Sequence, residues 1–144
     1  MIKNSIFLCF FTALSLYGQK QPQEDITYDA IDYFVASPSL EGIKNLNTVE
    51  TLFWKSQDKK TKEGLLSIVV LNCNKGYFEN KFGKTNQAIS SYEKAWKTFQ
   101  TYQLTDYDIT EYCLKPLGNL YTIIGDYNNA ENTIRHYYFI DKKN

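Results

Sequence analysis

The sequence predicts an all-α protein, a right-handed α-solenoid of helical hairpins with about five to six helices after a cleaved signal peptide. The first observation is the helical period of apolar residues in 114–134, where Leu117, Leu120 and Ile124 recur at three- and four-residue steps before Gly125. The same period resumes after this short turn. Because a helical pattern lies on each side of a turn signal, the simplest structure is two helices folded back on each other.

The second observation is an internal repeat, in which five small or apolar residues recur with spacings of 7, 5, 4 and 3 residues. They are Gly76, Gly83, Ala88, Tyr92 and Ala95 in the first copy, and Gly118, Gly125, Ala130, Ile134 and Tyr137 in the second. Such self-similarity is typical of stacked supersecondary units, so two hairpins are predicted at about 59–102 and 107–141. The first glycine of each set is expected where a neighbouring helix comes close, since glycine inside a helix otherwise costs about 0.5–1 kcal/mol.

Residues 1–18 are predicted to form a signal peptide. Lys3 supplies a positive charge, residues 6–16 form an apolar segment, and Gly18 is a small residue before polar Gln19. An apolar segment this short does not cross a bilayer as a helix. We therefore expect an exported protein, periplasmic or extracellular, with no membrane span after cleavage; an uncleaved N-terminal anchor is the alternative.

The remainder of the chain divides into three parts. Residues 19–24 are polar and are predicted to be a flexible leader. Residues 25–56 are predicted to form an N-terminal helical cap of two helices separated by a Ser-Pro-Ser break. A stack of hairpins leaves an apolar flank on its outermost repeat, which this cap would cover. Residues 57–144 carry the two hairpins.

Capping residues predict where the helices of the first hairpin begin and end. Asp58 is a plausible N-cap for the longest helix, at about 59–81. Gly83 is expected in the left-handed conformation that closes this helix. Thr85 is expected to cap the next helix, at about 86–101, which has the clearest amphipathic pattern in the chain.

The second hairpin is predicted to contain an irregular helix. Thr105 or Asp106 is the expected cap of its first helix. Pro116 falls inside that helix and removes one backbone hydrogen bond, so a kink is expected near Tyr112. The last helix is predicted at about 128–141.

Composition and motifs argue against several functional classes. Sixteen basic and sixteen acidic residues leave no net charge, which argues against a nucleic-acid or anionic-membrane surface. The FGKT sequence at 82–85 is similar to the end of a phosphate-binding loop, but Gly76 lies too far before it and no buried strand precedes it. His136 is the only histidine, and Asp106 and Asp108 are interpreted as helix caps. We therefore predict no catalysis, no metal and no cofactor.

Cys73 and Cys113 are the cysteines of the predicted mature chain. In an oxidising compartment they permit a disulfide, and they fall on the first helices of adjacent hairpins. They lie at different heights in the two copies, and helix axes about 8–10 Å apart rarely bring Cα atoms within the roughly 7 Å limit. Two buried thiols are therefore the expected state, and the disulfide is the alternative.

The repeated residues carry a family resemblance. Leu117-Gly118, Tyr121, Gly125-Asp126-Tyr127 and Ala130, with their upstream counterparts, resemble the tetratricopeptide (TPR) signature. More specifically, NKGYFENKFGKTNQAISSYEKAW and DITEYCLKPLGNLYTIIGDYNNAENTI resemble the TPR region that precedes the CHAT peptidase domain in exported bacterial proteins. The resemblance covers about 59–141. The copies differ where Asn72 corresponds to Leu114 and where Glu79 corresponds to Tyr121.

The resemblance implies a concave groove lined by the first helix of each repeat, in which extended peptides or helices bind. By resemblance, the groove-facing residues would be Val70, Cys73, Tyr77, Asn80 and Lys81 in the first copy, and Tyr112, Lys115, Asn119, Thr122 and Ile123 in the second. The alternative is that these are ordinary surface and inter-helix positions.

Together these observations predict an exported TPR-type scaffold that binds a protein or peptide and has no catalytic activity of its own. One alternative is the N-terminal regulatory fragment of a CHAT-domain cysteine peptidase whose catalytic domain is absent. Another is a structural or envelope-assembly module. The last helix is expected to expose apolar residues including Ile134, Tyr138 and Phe139, which predicts self-association.

Overall fold

The computed structural model describes residues 21–141, which form six α-helices and no strand. The helices are α1 (Gln23–Ala36), α2 (Leu40–Lys55), α3 (Lys62–Lys81), α4 (Thr85–Thr101), α5 (Lys115–Ile123) and α6 (Tyr127–Asp141). A 3₁₀ turn (Asp58–Lys60) precedes α3, and a π turn (Thr110–Leu114) runs directly into α5. The all-α prediction is confirmed for this part of the chain. The predicted signal peptide lies outside the described residues.

Consecutive helices pack in pairs, α1 with α2, α3 with α4 and α5 with α6, and the pairs contact each other through α1–α3, α2–α3 and α4–α5. One apolar core runs through all three pairs. Its most buried large side chains are Phe34, Leu46, Phe53, Leu71 and Leu114. The first helix of the second pair therefore contacts both helices of the first.

The predicted repeat has a structural counterpart at the turns of the last two pairs. Gly83 and Gly125 both adopt positive φ, 72° and 80°, as predicted for residues that close a helix. In each turn the amide after the glycine donates a hydrogen bond to the carbonyl five positions back, at 2.8 Å in the first and 2.9 Å in the second. The two turns thus use one backbone geometry, 42 residues apart along the chain.

The glycines at the helix crossings are less alike than their spacing suggests. A Cβ added at Gly76 would lie 2.8 Å from the ring of Tyr92, so α4 packs directly onto the α3 backbone there. A Cβ added at Gly118 would meet Thr133 at 3.7 Å, which is ordinary van der Waals contact. Close approach at glycine is therefore present in the first copy and absent from the second.

Two predicted caps are wrong at the start of α3 and α4. Thr61 caps α3, because its hydroxyl accepts from the amide of Gly64 at 3.0 Å. Asp58 instead accepts from the amide of Glu24 at 3.1 Å and so satisfies the first turn of α1, 34 residues earlier. Thr85 is the first residue of α4, which has no side-chain cap.

The irregular helix lies where it was expected, but its form is a π turn. The amide of Lys115 donates to the carbonyl of Thr110 across this turn, and Pro116 then occupies the first turn of α5. Because the π turn runs directly into α5, the proline still removes one backbone donor inside a continuous helical segment, and the hydrogen-bond register changes just before it. The cap is Asp108, which accepts from the amide of Glu111 at 2.9 Å. Asp108 is among the aspartates interpreted as caps from the sequence, whereas the more specific expectation of Thr105 or Asp106 at this helix is wrong.

A buried ion pair joins α2 to α3. The carboxylate of Glu50 accepts from Asn72 and from the ammonium of Lys75, both at 3.1 Å, and Lys94 lies 3.8 Å away. Burial alone would raise the pKa of Glu50, but the charge of Lys75 and the hydrogen bonds from Asn72 and Lys75 lower it below its usual value. Glu50 therefore stays ionised and neutralises Lys75, whose side chain is almost fully buried.

The two crossing glycines predict opposite effects of one substitution. Gly76→Ala is expected to destabilise the fold by about 1–3 kcal/mol, because the new methyl group would displace the Tyr92 ring. Gly118→Ala is the matched control and should stabilise by about 0.5–1 kcal/mol, since there is space for the methyl group. Urea unfolding of both variants measures the difference; equal effects would contradict the asymmetry.

The buried pair predicts an acid-sensitive component of stability. Glu50→Gln should destabilise the protein by about 3–5 kcal/mol near neutral pH, because Lys75 loses its buried partner. The pKa of Glu50 is lower in the folded chain than its ordinary 4.5, so this stability is present above pH 4.5 and is lost as the pH falls below it.

The difference between wild type and Glu50→Gln should therefore shrink at about pH 3 in urea unfolding. Glu41→Gln removes an exposed pair with Lys44 and should change stability by less than about 1 kcal/mol at either pH. A Glu50 effect that does not change with pH would contradict the assigned ion pair.

Candidate functional site

A cleft of about 340 Å³ opens between α3, the π turn and α5. We call it the tyrosine cleft, because four of its eight lining residues are tyrosines. The lining residues are Cys73, Asn74, Tyr77, Tyr92, Tyr107, Glu111, Tyr112 and Pro116. They come from two helix pairs and the connector between them, so the cleft forms where these two pairs meet.

The floor of the cleft depends on the close crossing of α3 and α4. Tyr92 lies on α4, and its ring reaches the cleft across the backbone of Gly76, where no side chain blocks it. The thiol of Cys113, in the π turn, donates to the carbonyl of Tyr92 at 3.2 Å. The second and third helix pairs therefore meet at Tyr92.

The connector between α4 and the π turn supplies Tyr107. Two of its residues, Gln103 and Asp106, adopt positive φ of 51° and 60°, so the chain changes direction twice within four residues. Leu104 and Ile109 are buried on either side of Tyr107. This anchoring holds the half-buried Tyr107 ring in the cleft.

Two exposed rings form the mouth of the cleft. Tyr77 is 48% exposed and Tyr112 is 58% exposed. The ammonium of Lys81 lies 4.5 Å from the centre of the Tyr77 ring, and the Tyr112 ring lies 5.6 Å from that of Tyr107. Each mouth ring is thus held by a neighbour while much of its surface stays in water.

The floor of the cleft is uncharged. Burial raises the pKa of Tyr92 and of Tyr107, and the nearby Cys73 raises both further, so their hydroxyl groups stay protonated at neutral pH. Glu111 is the only carboxylate that lines the cleft, and it pairs with Lys115 at 2.6 Å. A neutral apolar or aromatic group fits such a floor, because a charged group would lose its hydration there without gaining a partner.

The predicted groove residues do not line one cavity. Cys73, Tyr77 and Tyr112 line the tyrosine cleft. Three other predicted residues line a separate cavity of about 240 Å³ between α5 and α6, namely Lys115, Asn119 and Thr122. The remaining four, which line neither cavity, are Val70, Asn80, Lys81 and Ile123.

Sequence reasoning missed Tyr92 and Tyr107 as cleft residues. Tyr92 is predicted only as a repeat position on an amphipathic helix, and it is buried in the core while it also lines the cleft. Tyr107 lies in a connector, where helical period carries no information. Its position between Leu104 and Ile109, both buried, is the signal that could have identified it.

Two other cavities differ in character from the tyrosine cleft. A groove of about 660 Å³ between α2 and α4 lies over the buried pair and is bordered by Lys94 and Lys97. Its carboxylate, Glu50, already has partners on both oxygens. A third cavity, of about 700 Å³, surrounds the connector and reaches Trp96 and Ile140. Neither combines exposed rings with an apolar floor.

Comparison with known proteins leaves the family open. No protein-family model, curated protein or solved structure matches the chain. Within residues 21–141, no helix has both the length and the apolar character needed to span a bilayer. The two copies within the chain and the tyrosine cleft are therefore the features that bear on function.

Proposed function

We propose that the chain is an exported TPR-type scaffold that binds a protein or peptide and has no catalytic activity of its own. The observation that carries this proposal is the tyrosine cleft, an apolar cavity with two exposed rings at its mouth. It lies between the first helices of successive pairs, and in stacked helical hairpins this is the side on which ligands bind.

The proposed architecture is a right-handed stack of TPR-like hairpins. The matching turns after Gly83 and Gly125 support it. The spacing of buried residues on the second helices of the first two pairs also supports it. On α2 the buried Leu46, Glu50 and Phe53 have the same 4- and 3-residue spacing as Ala88, Tyr92 and Ala95 on α4.

Peptide binding follows from the energetics of the mouth rings. Tyrosine buries a large surface on binding and loses little conformational entropy, which makes it a frequent binding hot spot. Tyr77 and Tyr112 are already restrained by Lys81 and Tyr107, so the entropy cost of fixing them is smaller still. We infer that the ligand inserts one neutral apolar or aromatic side chain between these rings.

The test begins with selection of peptides from a phage-displayed random library on the wild-type protein. Selected peptides should share one large apolar or aromatic position. Tyr77→Ala combined with Tyr112→Ala should weaken their binding at least about tenfold in calorimetry, because each ring contributes on the order of 1 kcal/mol or more.

The matched control is Tyr33→Ala combined with Tyr127→Ala, which removes two exposed tyrosines that do not line the cleft. This pair should leave the affinity unchanged. Equal peptide affinity of the wild type and the cleft double variant would contradict the assignment of the groove. Selected peptides without a shared apolar position would contradict it as well.

Self-association through α6 is a second proposal, and it concerns a second copy of the chain. Tyr92 on α4 is 2% exposed, with α3 on one side and the third helix pair on the other, whereas its repeat equivalent on α6, Ile134, is 45% exposed. Phe139 on α6 is exposed as well. A helix pair from another copy could cover this face as α5 covers α4.

Analytical ultracentrifugation at tens of micromolar, a range where weak association becomes visible, should therefore detect dimers or larger species. Ile134→Ser with Phe139→Ser should shift the protein toward monomer, whereas Tyr33→Ser, at the other end of the structure, should not. A monodisperse wild-type monomer would count against the proposal.

A further inference from the structure

The space between α2 and α4 forms a second candidate binding site. Both helices pack against α3, and the groove of about 660 Å³ between them shares no lining residue with the tyrosine cleft. We call it the lysine groove, because Lys94 and Lys97 border it. Its volume lies within the range of about 300–1,000 Å³ that is typical of ligand sites. The groove is therefore large enough to bind part of a partner.

The lysine groove has an excess of positive charge. Glu50 is the only carboxylate that lines it, and the buried ammonium of Lys75 pairs with that carboxylate at 3.1 Å. The ammonium of Lys94 lies 3.8 Å from Glu50, and its side chain is 55% exposed. Lys97 is exposed and has no ion-pair partner among residues 21–141. Three ammonium groups thus stand against one carboxylate, which leaves two positive charges to attract an anionic ligand.

The other acidic residues of α2 and α4 are engaged away from the groove. Glu93 is the other acidic residue to consider on α4, and its carboxylate accepts a hydrogen bond from the hydroxyl of Tyr121 on α5. On α2, Glu41 pairs with Lys44 at 3.0 Å in the first turn. Neither carboxylate lines the groove. The positive charge of the groove is therefore not offset by its own two helices.

Two aromatic rings add apolar surface to the lysine groove. Trp54 lies near the end of α2 and is half-buried, and Tyr102 follows α4 and is 42% exposed. The ring of Phe53 meets that of Trp54 edge-on at 5.2 Å, which restrains the Trp54 side chain. A restrained ring loses little conformational entropy on binding. A ligand for this groove is therefore expected to carry an apolar side chain as well as negative charge.

The dimensions of the groove fit an extended peptide. On α2 the lining runs from Asn47 to Trp54, a rise of about 10.5 Å at about 1.5 Å per residue. An extended chain advances about 3.3 Å per residue, so three to four residues match this length. Lys94 and Lys97 are three positions apart and are neighbours on the helix surface. In an extended peptide, side chains two positions apart point to the same side, so alternate acidic residues can reach both lysines.

The ends of this chain do not have the charge to occupy the groove. Residues 1–20 and 142–144 contain Lys3, Lys20, Lys142 and Lys143, and they contain no aspartate or glutamate. Like charges facing each other across a contact oppose binding. The charge of the groove therefore favours a segment of another protein over either end of this chain.

We propose that the lysine groove binds an extended acidic segment of a partner protein. Two acidic side chains two positions apart pair with Lys94 and Lys97, and an apolar side chain beside them packs on Trp54. This surface differs from the tyrosine cleft and from the exposed face of α6, and the proposal depends on neither. Surface charge pairs are individually weak and are screened by salt, so the interaction is expected to be weak and strongest at low ionic strength.

The probe is a capped five-residue peptide with glutamate at its first and third positions, serine at its second and fourth, and leucine at its fifth. It is titrated into the isotope-labelled full chain at low salt, and the amide resonances are followed by NMR. We expect the largest shift changes at the lining residues of α2 and α4, with a Kd between about 10 µM and 1 mM.

The charge of the peptide is tested in two ways. Replacing both glutamates by glutamine should weaken binding at least about fivefold, because the lysines lose their partners. Raising the ionic strength from about 0.01 M to about 0.15 M should weaken the glutamate peptide to a similar extent. This change shortens the Debye length from about 30 Å to about 8 Å.

Lys97→Gln tests the groove directly, because Lys97 is exposed and takes no part in the buried pair of Glu50. This variant should weaken the glutamate peptide at least about threefold at low salt. Lys84→Gln is the matched control, since it removes an exposed lysine just before α4 that does not line the groove. It should leave the affinity unchanged. Tyr77→Ala with Tyr112→Ala should also leave it unchanged, which separates this site from the tyrosine cleft.

Equal affinity of the glutamate and glutamine peptides would overturn the proposal. Shift changes confined to the tyrosine cleft, or no binding at millimolar peptide, would overturn it as well. If resonances of the lysine groove change with protein concentration alone, a second copy occupies the groove, and this result would also contradict a partner segment. None of these outcomes affects the test of the tyrosine cleft with selected peptides.

Discussion

The ring of Tyr92 occupies the space that a side chain at position 76 would need, and much of the structure depends on this contact. It sets how closely α4 approaches α3. The same residue accepts a hydrogen bond from Cys113 through its carbonyl, and its ring lies at the floor of the cleft. The second and third helix pairs therefore meet at Tyr92. A larger residue at position 76 would therefore change the junction between the helix pairs, the cleft, and the hydrogen bond from Cys113 to Tyr92 together.

The two junctions between helix pairs are built from different chemistry. Between the first and second pairs, Glu50 meets Asn72 and Lys75 in a buried polar network. Between the second and third, Tyr92 meets Cys113 within an apolar core. A buried ion pair contributes little net stability, but an unmatched charge there costs several kcal/mol, roughly 3–5. The polar junction therefore favours one pairing of helices over others.

The sequence predicted what depends on local chain geometry. Helical period and turn glycines placed the helices of the last two pairs within a few residues, and Gly83 has the predicted left-handed backbone. One prediction that failed involves residues distant along the chain. Asp58 caps α1 rather than α3, because the fold brings the first turn of α1 next to it. Nothing in the local sequence distinguishes these two roles.

The candidate site shows the same division. Tyr77 and Tyr112 could be identified from their positions in the repeat, because each lies on the first helix of its copy. Tyr107 could not, since it reaches the cleft through a connector with two positive-φ residues. The π turn is predicted only as a kink, because Pro116 marks an irregular helix in the sequence but does not specify a hydrogen bond between residues five apart.

Differences between the copies explain why the cleft wall of the first copy is not repeated in the second. Cys73 corresponds to Lys115 and Tyr77 to Asn119, so the second copy has polar side chains where the first has the cleft wall. Lys75 corresponds to Leu117, which is buried against the apolar junction where no carboxylate equivalent to Glu50 exists. Residues shared by the copies build the repeated backbone, whereas residues that differ decide what each junction contacts. For this reason the repeat by itself predicts a fold. A binding role depends on the positions at which the residues of the two copies differ.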